Sequence, residues 1–558
     1  MYSSLSKMTK VMKTSIKIFI SALTATALLS SCIKEPLPQA SFVTADQAAN
    51  APNAFQNFVS ACTLLTGQFT YSGSDYSPYD FGYPSFFLQR DVMGQDIVCE
   101  DSGSEFFSSW YSCGVALGPQ YAICQIPWTY YYGWIKDCNN VIKMAGEEPS
   151  DLQKAGAGLA HAMRAMFYMD LARMYGKTYK GNPDAHTVPI VDETTTLESG
   201  TNNPRATNTD MWTFILSDLD KAENLLKGYS RKDIKDVDTT VVFGLKARAY
   251  LTMEDWANAE LYAKKAQKGF SPLTTEQYLS RTSGFNSATS QNSWIFACGN
   301  KSDDPNILAN DADSSWGAQM IIESTSGCGY ASNYGAPKRI DAHLYSTIPD
   351  SDIRKKCFID PAIDESASLE EAKAALSAYS DYPEQIITCA DASASGTVGC
   401  LSVKFRNAGG VADNQYVGFC VDMPLMRVEE MMLIEAEAAA MQDEARGKTL
   451  LENFGKLRDP NYTVDRIASL RDQIWWQRRV ELWGEGFATF DIKRLNKGIV
   501  RSYAGTNHPE KYRWNTETPP QWMDLCIVQT EGNYNKAVTN DNNPTPIAPS
   551  EASPEHVW

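Results

Sequence analysis

Residues 238–272 constrain the fold of this chain more than any other stretch, because they carry the marks of two helices joined by a short turn. In the first helix, Phe243, Ala247 and Tyr250 recur on one face. Asp255 is placed to cap a second helix, whose apolar residues follow at three- and four-residue steps until a glycine and a proline stop it. A pair of helices this short cannot bury its own apolar face, so further helices must pack against it.

The alternation of aromatic residues with alanines in this hairpin resembles the tetratricopeptide pattern, a stacking unit of about 34 residues. Apolar stripes at helical spacing recur elsewhere, and a short apolar run at residues 292–298 is typical of a strand. The predicted fold is therefore mainly α, a tetratricopeptide-like scaffold of helical pairs with long irregular loops and a few short strands. The further helices are predicted at residues 48–71, 128–145, 159–174, 208–226, 424–441, 465–483 and 487–495.

The N-terminus has the layout of a secretory signal, with four lysines before an apolar run that is too short to span a bilayer. The run ends in Leu29-Ser30-Ser31-Cys32, which resembles a bacterial lipobox, where the cysteine thiol carries a diacylglycerol. The alternative is an ordinary signal peptide with an incidental cysteine. We therefore predict a signal peptide over residues 1–31, lipidation of Cys32 and a tether over residues 32–45.

Charge and composition narrow the class of protein further. The formal net charge is −17, which makes nucleic acid and anionic lipid surfaces poor partners and leaves a neutral ligand or a basic partner patch. No Pro/Ser/Gly linker or charge run interrupts the chain after the tether, so residues 46–558 are predicted to form one body. Its parts are an N-terminal part at 46–235, the hairpin at 236–272, a loop-rich ligand region at 273–423 and a helical part at 424–558.

Sequence patterns for catalysis and metal binding are missing or weak. No zinc spacing and no protease, hydrolase, Walker or dinucleotide motif occurs, and the cysteines are predicted to be buried free thiols. Asp303, Asp311 and Asp313 are oxygen ligands of the kind that suits calcium, but the series lacks the glycine and terminal glutamate of an EF-hand, which favours a solvated loop. The charged residues between Arg478 and Arg494 are predicted to form ion pairs that join two helices.

Several longer motifs occur along the chain besides the lipobox. They are MRVEEMMLIEAEAA at residues 426–439, RRVELWGEGFATFDIKR at 478–494, HAMRAMFYMDLARMYG at 161–176 and FGYPSFFLQRDVMGQDIV at 81–98. Together these motifs resemble the SusD/RagB family of outer-membrane nutrient-binding lipoproteins of Bacteroidetes. The resemblance implies a glycan site in surface loops, and a SusC-like TonB-dependent transporter over whose barrel the lipoprotein acts as a lid. It also implies an outer-membrane protein facing the outside of the cell, and some relatives bind peptides instead.

The leading hypothesis is a lipoprotein that binds a glycan and delivers it to such a transporter, without being an enzyme. Sugars stack their C–H faces on exposed aromatic planes, so the candidate residues are aromatic residues of the two loop regions. Each of these rings has an alternative role as a loop anchor packed inward. The candidates are Trp316, Tyr330 and Tyr334 after the predicted strand, and Tyr79, Tyr83 and Trp110 in the N-terminal loop.

Three alternatives remain from the sequence. A peptide-binding member of the same family would use the same loops. A surface glycoside hydrolase would need two loop carboxylates about 5 to 9.5 Å apart. A purely structural scaffold would bind no ligand through its loop aromatic residues.

Overall fold

The computed structural model describes residues 53–66, 71, 76–113, 117–285, 287–289, 291–465 and 468–558. Contacts divide the chain into two compact units, residues 1–55 and 56–558, and almost all of the described residues belong to the second. The predicted signal peptide, Cys32 and the tether lie outside the described residues. No helix in the described part is both long and apolar enough to cross a bilayer.

The described chain is mainly helical, as predicted, with six short strands in three antiparallel pairs. The helices are α1 (Ala54–Cys62), α2 (Tyr83–Val92), α3 (Ser108–Ser112), α4 (Ala122–Ala145), α5 (Asp151–Tyr175), α6 (Leu197–Gly200), α7 (Asn208–Leu225), α8 (Thr239–Met253), α9 (Trp256–Ala266), α10 (Thr275–Tyr278), α11 (Pro305–Leu308), α12 (Trp316–Met320), α13 (Ala342–Thr347), α14 (Leu369–Leu376), α15 (Pro383–Ala392), α16 (Gln415–Gly418), α17 (Val428–Ala440), α18 (Glu444–Gly455), α19 (Leu470–Glu481), α20 (Ala488–Arg494) and α21 (Gln529–Tyr534). The strands are β1 (Ile97–Cys99), β2 (His186–Pro189), β3 (Arg205–Thr207), β4 (Trp294–Gly299), β5 (Lys338–Ile340) and β6 (Asp422–Arg427), paired as β1–β5, β2–β3 and β4–β6.

The helical hairpin predicted from residues 238–272 is confirmed as α8 and α9. The Asp238 side chain accepts hydrogen bonds from the first turn of α8, and Asp255 accepts one from Asn258 N at the start of α9. Ala259, Ala263 and Ala266 on α9 are fully buried. Small side chains let helices approach closely, and α9 packs on both α8 and α17. The hairpin therefore links the N-terminal helices to the C-terminal ones.

The scaffold continues on both sides of this hairpin. Helix α5 packs against α4 and α7, α7 packs against α8, and α17 packs against α18. A buried ion pair between Arg164 of α5 and Asp218 of α7, 2.7 Å apart, fixes one of these contacts. His161 places Nδ1 2.7 Å from the same carboxylate.

A cluster of buried charges, which we call the ionic core, joins the loop-rich region to the C-terminal part of the chain. Glu481 at the end of α19 contacts the guanidinium groups of Arg458 at 3.0 Å, Arg427 at 3.2 Å and Arg354 at 3.4 Å. Arg427 also pairs with Glu485 at 2.8 Å. Four cations face four anions here, so the burial of charge is balanced. The ionic core consists of Arg354, Lys404, Arg427 and Arg458 with Asp352, Glu429, Glu481 and Glu485.

The ion pairs predicted to join two helices are confirmed for Arg478 and Asp491, whereas Arg479 pairs with Asp96 just before β1, and Glu481 belongs to the ionic core. Arg478 of α19 contacts Asp491 of α20 at 2.7 Å, and Arg494 bridges the same aspartate to Glu437 of α17. These side chains are buried and mutually paired. The charges thus join three helices.

Four details of the predicted fold are wrong. Residues 83–92, predicted as loop, form α2, which begins after Gly82 with a φ of 100° and has Pro84 in its first turn. Every face of this helix is buried, so its sequence shows no amphipathic period. The loop-rich region predicted at 273–423 contains several helices, α14 and α15 among them. The helix predicted to open at Pro424 begins at Val428, since Pro424 lies in β6, where its missing N–H is tolerated. The helix predicted at 465–483 begins at Leu470, after the N-cap Ser469, and is α19.

The strand predicted at 292–298 is confirmed as β4, and its partner β6 follows it by more than 100 residues. The described cysteines are free thiols, as predicted, and all except Cys328 and Cys420 are buried.

Candidate functional site

Four aromatic rings from two distant segments meet in a continuous run of ring contacts. Ring centroids are 6.2 Å apart for Tyr79 and Phe106, 4.7 Å for Phe106 and Tyr330, and 5.5 Å for Tyr330 and Tyr334. The segments are joined through the pairing of β1 with β5, in which Ile97 lies opposite Ile340. We call Tyr79, Phe106, Tyr330 and Tyr334 the aromatic patch.

The aromatic patch is partly open to solvent. Tyr334 is 41% exposed, and the other three rings are half-buried. Two further tyrosines lie on neighbouring segments, Tyr76 at 38% exposure and Tyr416 at 36%. Partly covered rings keep a fixed orientation while leaving an edge or face free, which is what stacking against a ligand requires.

A tight turn presents carboxylates beside these rings. The φ angles of Asn310, Asp311 and Ala312 are 51°, 54° and 63°, so three successive residues that are not glycine adopt the left-handed conformation. Such residues cost roughly 1–2 kcal/mol each and persist only where surrounding contacts hold them. Here Asp311 Oδ1 accepts a hydrogen bond of 2.8 Å from the Tyr416 hydroxyl, and Asp313 Oδ1 accepts one of 2.5 Å from Gly329 N–H.

The electrostatics of this region are negative. Burial raises the pKa of Asp313 to about 6, and burial together with the Asp313 carboxylate raises the pKa of Tyr334 to about 12. Residues 76–80, 303–335 and 407–421, which surround the rings, contain no lysine or arginine. The rings and carboxylates can therefore accept hydrogen bonds from hydroxyl groups but offer no cation to an anionic ligand.

Three of the six candidate aromatic residues are corrected by the structure. Trp110 and Trp316 are buried, at 0% and 1% exposure, and Tyr83 at 4% is also enclosed. A ring inside the protein cannot stack on a ligand at the surface. Trp110 instead packs edge-on under Tyr79 at 6.0 Å, and Trp316 packs on Phe405 at 4.7 Å.

Tyr83 has a different structural role from the two tryptophans. Its hydroxyl donates to the buried carboxylate of Asp170 at 2.6 Å, and Arg90 pairs with the same carboxylate at 3.0 Å. Tyr83 therefore anchors α2 against α5. Tyr79, Tyr330 and Tyr334 lie in the aromatic patch, and their ligand-binding role stays a prediction.

The acidic residues proposed for calcium are spread along the same excursion. Asp311 and Asp313 have the hydrogen bonds described above, and Asp303 lies on the segment before α11. Within the described ranges, no group of three or more His, Cys, Asp or Glu side chains is placed to hold a metal ion.

Sequence reasoning missed two members of this region as site residues. Phe106 links the two halves of the aromatic patch, and Tyr416 covers the carboxylate of Asp311 from a third segment. The available signal for Tyr416 was its place in the Gly- and Asn-rich stretch around residues 407–418, which is typical of a surface loop.

Similarity to known proteins agrees with this architecture. Residues 384–551 match the SusD family. A SusD-like carbohydrate binding protein from Bacteroides vulgatus has 23% sequence identity and a TM-score of 0.67, over 88% of this chain and 97% of that one. Surface glycan-binding protein A from Bacteroides thetaiotaomicron, solved in complex with laminarihexaose, has 17% identity and a TM-score of 0.60, over 87% of this chain and 97% of that one. No curated protein sequence matches this chain.

The fold and the exposed rings define a helical-repeat protein with a loop-built aromatic surface. More specifically, the chain has the SusD-like fold over nearly all of its described length, and its C-terminal third carries the SusD family signature, which confirms the resemblance predicted from its motifs.

Proposed function

We propose that this protein is an outer-membrane lipoprotein, anchored through Cys32 and facing the outside of the cell, that binds a neutral glycan and delivers it to a SusC-like TonB-dependent transporter. The observation that carries the proposal is the convergence of two distant loop segments into one partly exposed aromatic patch. The similarity to a glycan-binding protein solved with laminarihexaose supports the ligand class.

The chemistry of the aromatic patch favours a neutral sugar. A pyranose ring has apolar C–H faces that pack on aromatic rings, and hydroxyl groups that donate to carboxylate and phenol oxygens. Tyr334 offers an aromatic ring for the C–H faces, and Asp311 offers carboxylate oxygens for the hydroxyl groups. Uronic acids and sulfated sugars carry negative charge toward carboxylates that lie on segments without lysine or arginine, so these sugars are disfavoured.

Each ring contact contributes only about 1–3 kcal/mol, by analogy with burial of an apolar side chain. A shallow site of this kind binds weakly, with dissociation constants in roughly the micromolar to millimolar range. Weak contacts suffice when the ligand is a polymer and the transporter is close, because both raise the effective concentration.

The experiment that tests glycan binding is calorimetric titration with neutral polysaccharides, beginning with a β-1,3-glucan, and with sulfated and uronate polymers of similar length. Neutral polymers are expected to bind. The double variant Tyr330→Ala, Tyr334→Ala should weaken binding at least tenfold, while Tyr121→Ala, which removes an equally exposed tyrosine at 40%, should leave it unchanged. Heat released only by peptides would favour a peptide-binding protein instead.

Catalysis and anchoring need separate measurements. A binding protein leaves the chain length of a polysaccharide unchanged after long incubation, whereas a glycoside hydrolase shortens it. Cys32→Ala should release the protein from the membrane fraction and abolish incorporation of labelled fatty acid. Retention of label in that variant would contradict the proposed anchor.

A further inference from the structure

We propose a second carbohydrate-binding site on this chain, separate from the aromatic patch, in a cleft beside α19. The cleft has a volume of about 460 Å³, within the usual range of roughly 300–1,000 Å³ for small-ligand sites. It shares no residue with the aromatic patch and goes beyond the proposed function. We call it the Trp476 cleft; the lining residues used below are Thr347, Asp352, Asp459, Asn461, Thr463 and Trp476.

One wall of the cleft is a tryptophan held in a fixed orientation. The half-buried Trp476 donates its indole N–H to Thr347 Oγ1 at 2.8 Å. The guanidinium of Arg354 lies 5.6 Å from the ring centroid. A rigid, partly exposed indole is the element that packs most favourably on the C–H face of a sugar.

The floor of the cleft contains a buried carboxylate with unused acceptor capacity. Asp459 is only 4% exposed, and its Oδ1 accepts a hydrogen bond of 2.9 Å from Asn461 N–H. In the described part of the chain, no lysine, arginine or histidine lies within ion-pair distance of Asp459, although an ionised carboxylate has about four acceptor positions. Its second oxygen is not sealed from solvent, so a sugar hydroxyl can reach it and donate to it.

The rim supplies the complementary groups. Asn461 and Thr463 are exposed at the mouth of the cleft, with an amide and a hydroxyl that can each donate and accept. A neutral sugar uses all of these contacts together, with its C–H face on Trp476 and its hydroxyls on Asp459, Asn461 and Thr463.

A basic peptide is the competing occupant, because the cleft is lined by carboxylates and no lysine or arginine is among the described residues that line it. The guanidinium of Arg354 already lies against the Trp476 ring, and its charge is balanced by Asp352 at 2.6 Å. The uncovered part of the ring and the neutral groups of Asn461 and Thr463 suit a hydroxylated ligand with an apolar face, and the experiment separates the two occupants. Two such sites on one molecule would strengthen attachment to a polymer without a new contact type.

The test localises binding by hydrogen exchange and mass spectrometry on the intact protein. Wild type and the Tyr330→Ala, Tyr334→Ala variant are incubated with millimolar neutral hexasaccharides of glucose, mannose, galactose and xylose, or with a lysine-rich peptide. A neutral hexasaccharide is expected to slow exchange at least twofold in residues 459–465 and 470–476 of both proteins. The Trp476→Ala variant should lose this protection.

Asn461→Ala provides a second variant that leaves the core intact, because its side chain is exposed. It should reduce the protection at least threefold, while Asn202→Ala, an exposed asparagine on another surface, should not. Protection confined to the aromatic patch in the wild type would overturn the second site and leave the proposed function standing. Protection of the Trp476 cleft without protection of the aromatic patch would support the second site and contradict the aromatic patch as the glycan site of the proposed function. Protection by the peptide alone would overturn the assignment of a sugar ligand. Protection in neither region would overturn both the second site and the proposed function.

Discussion

The ionic core and the aromatic patch differ in how far their side chains are buried and in how fully those side chains are paired. In the ionic core, Glu481 is fully buried, and each charge has an opposite partner within hydrogen-bonding distance. In the aromatic patch, Tyr334 remains 41% exposed, and the adjacent turn keeps Ala312 at a positive φ. The contrast indicates that rigidity is concentrated around the ionic core, while the aromatic patch retains open surface and strained backbone for binding.

The two regions are nevertheless connected by packing. Lys404 belongs to the ionic core, its neighbour Phe405 packs on Trp316, and Trp316 begins the helix that follows the strained turn. Well-packed surroundings of this kind hold a loop in an unfavourable backbone conformation. Mutations should therefore separate into those that change stability and those that change affinity.

The largest effect is expected from Glu481→Gln, which leaves three buried arginines without a shared anion. Removing one partner of a buried ion pair typically costs about 3–5 kcal/mol of unfolding free energy. Urea denaturation measures the loss, and Glu148→Gln at an exposed position is the control. An equally stable Glu481→Gln protein would contradict the importance of the ionic core.

The same residue gives a prediction about pH. Burial opposes ionisation of Glu481, but Arg458 and Arg427 outweigh it and hold its pKa well below the usual range. Because the pKa is lowered in the folded state, its stabilising contribution is complete above the unfolded value of about 4.3 and is lost as the pH falls below it. The unfolding free energy should therefore fall less steeply in Glu481→Gln than in wild type as the pH is lowered below 4.

A smaller effect, and one confined to affinity, is expected from Phe106→Ala. The phenyl ring links Tyr79 to Tyr330, so its loss should weaken neutral-glycan binding by about 1–3 kcal/mol, mainly by releasing both neighbours. Calorimetric titration measures the change. A loss of affinity that scales with unfolding of the protein, detected by circular dichroism, would indicate a structural role only.

Asp313→Asn should remove a loss of stability that occurs as the pH rises, whereas Glu481→Gln removes a loss that occurs as the pH falls. Burial raises the folded-state pKa of Asp313 to about 6 from an ordinary value of 3.8, so its contribution to stability is full below pH 4 and declines as the pH rises to 6. The asparagine keeps an acceptor for Gly329 N–H and has no such titration. The melting temperature should therefore fall less steeply between pH 4 and pH 7 in the variant than in wild type.

The smallest effect is expected from Ala312→Gly at the strained turn. Glycine removes the left-handed strain of roughly 1–2 kcal/mol but adds entropy to the unfolded chain and deletes a buried methyl group, so the net change should lie within about 1 kcal/mol of zero. The control is Ala318→Gly, which deletes an equally buried methyl group from a helix without relieving strain, and it should destabilise by roughly 1–2 kcal/mol. An Ala312→Gly protein destabilised as much as the control would show that the turn is not strained.

Local signals predicted the scaffold well. Helices α8 and α9 were predictable because their N-caps and apolar spacing lie within one short stretch. Helix α2 was missed because all of its faces are buried and show no period. Long-range ion pairs were visible only where both partners share a motif, as with Arg478 and Asp491, and not for Glu481 with Arg354.

The candidate site was predictable at the level of segments but not of rings. Both loop regions were identified, yet irregular chain has no periodicity to show which aromatic side chain points inward, so Trp110 and Trp316 were not distinguished from Tyr330 and Tyr334. Contributions from a third segment, such as Tyr416, depend on tertiary contacts that no sequence spacing reveals.

The pairing of β1 with β5 also sets the order in which this molecule is assembled. Ile97 and Ile340 lie about 240 residues apart, and closing a loop of that length costs roughly 5 kcal/mol of chain entropy besides a constant. Hairpins such as α8 and α9 form from neighbouring residues and can fold early, whereas the two halves of the binding surface must wait for that late closure. A nascent or truncated chain that ends before β5 would therefore possess folded helices but no receptor surface.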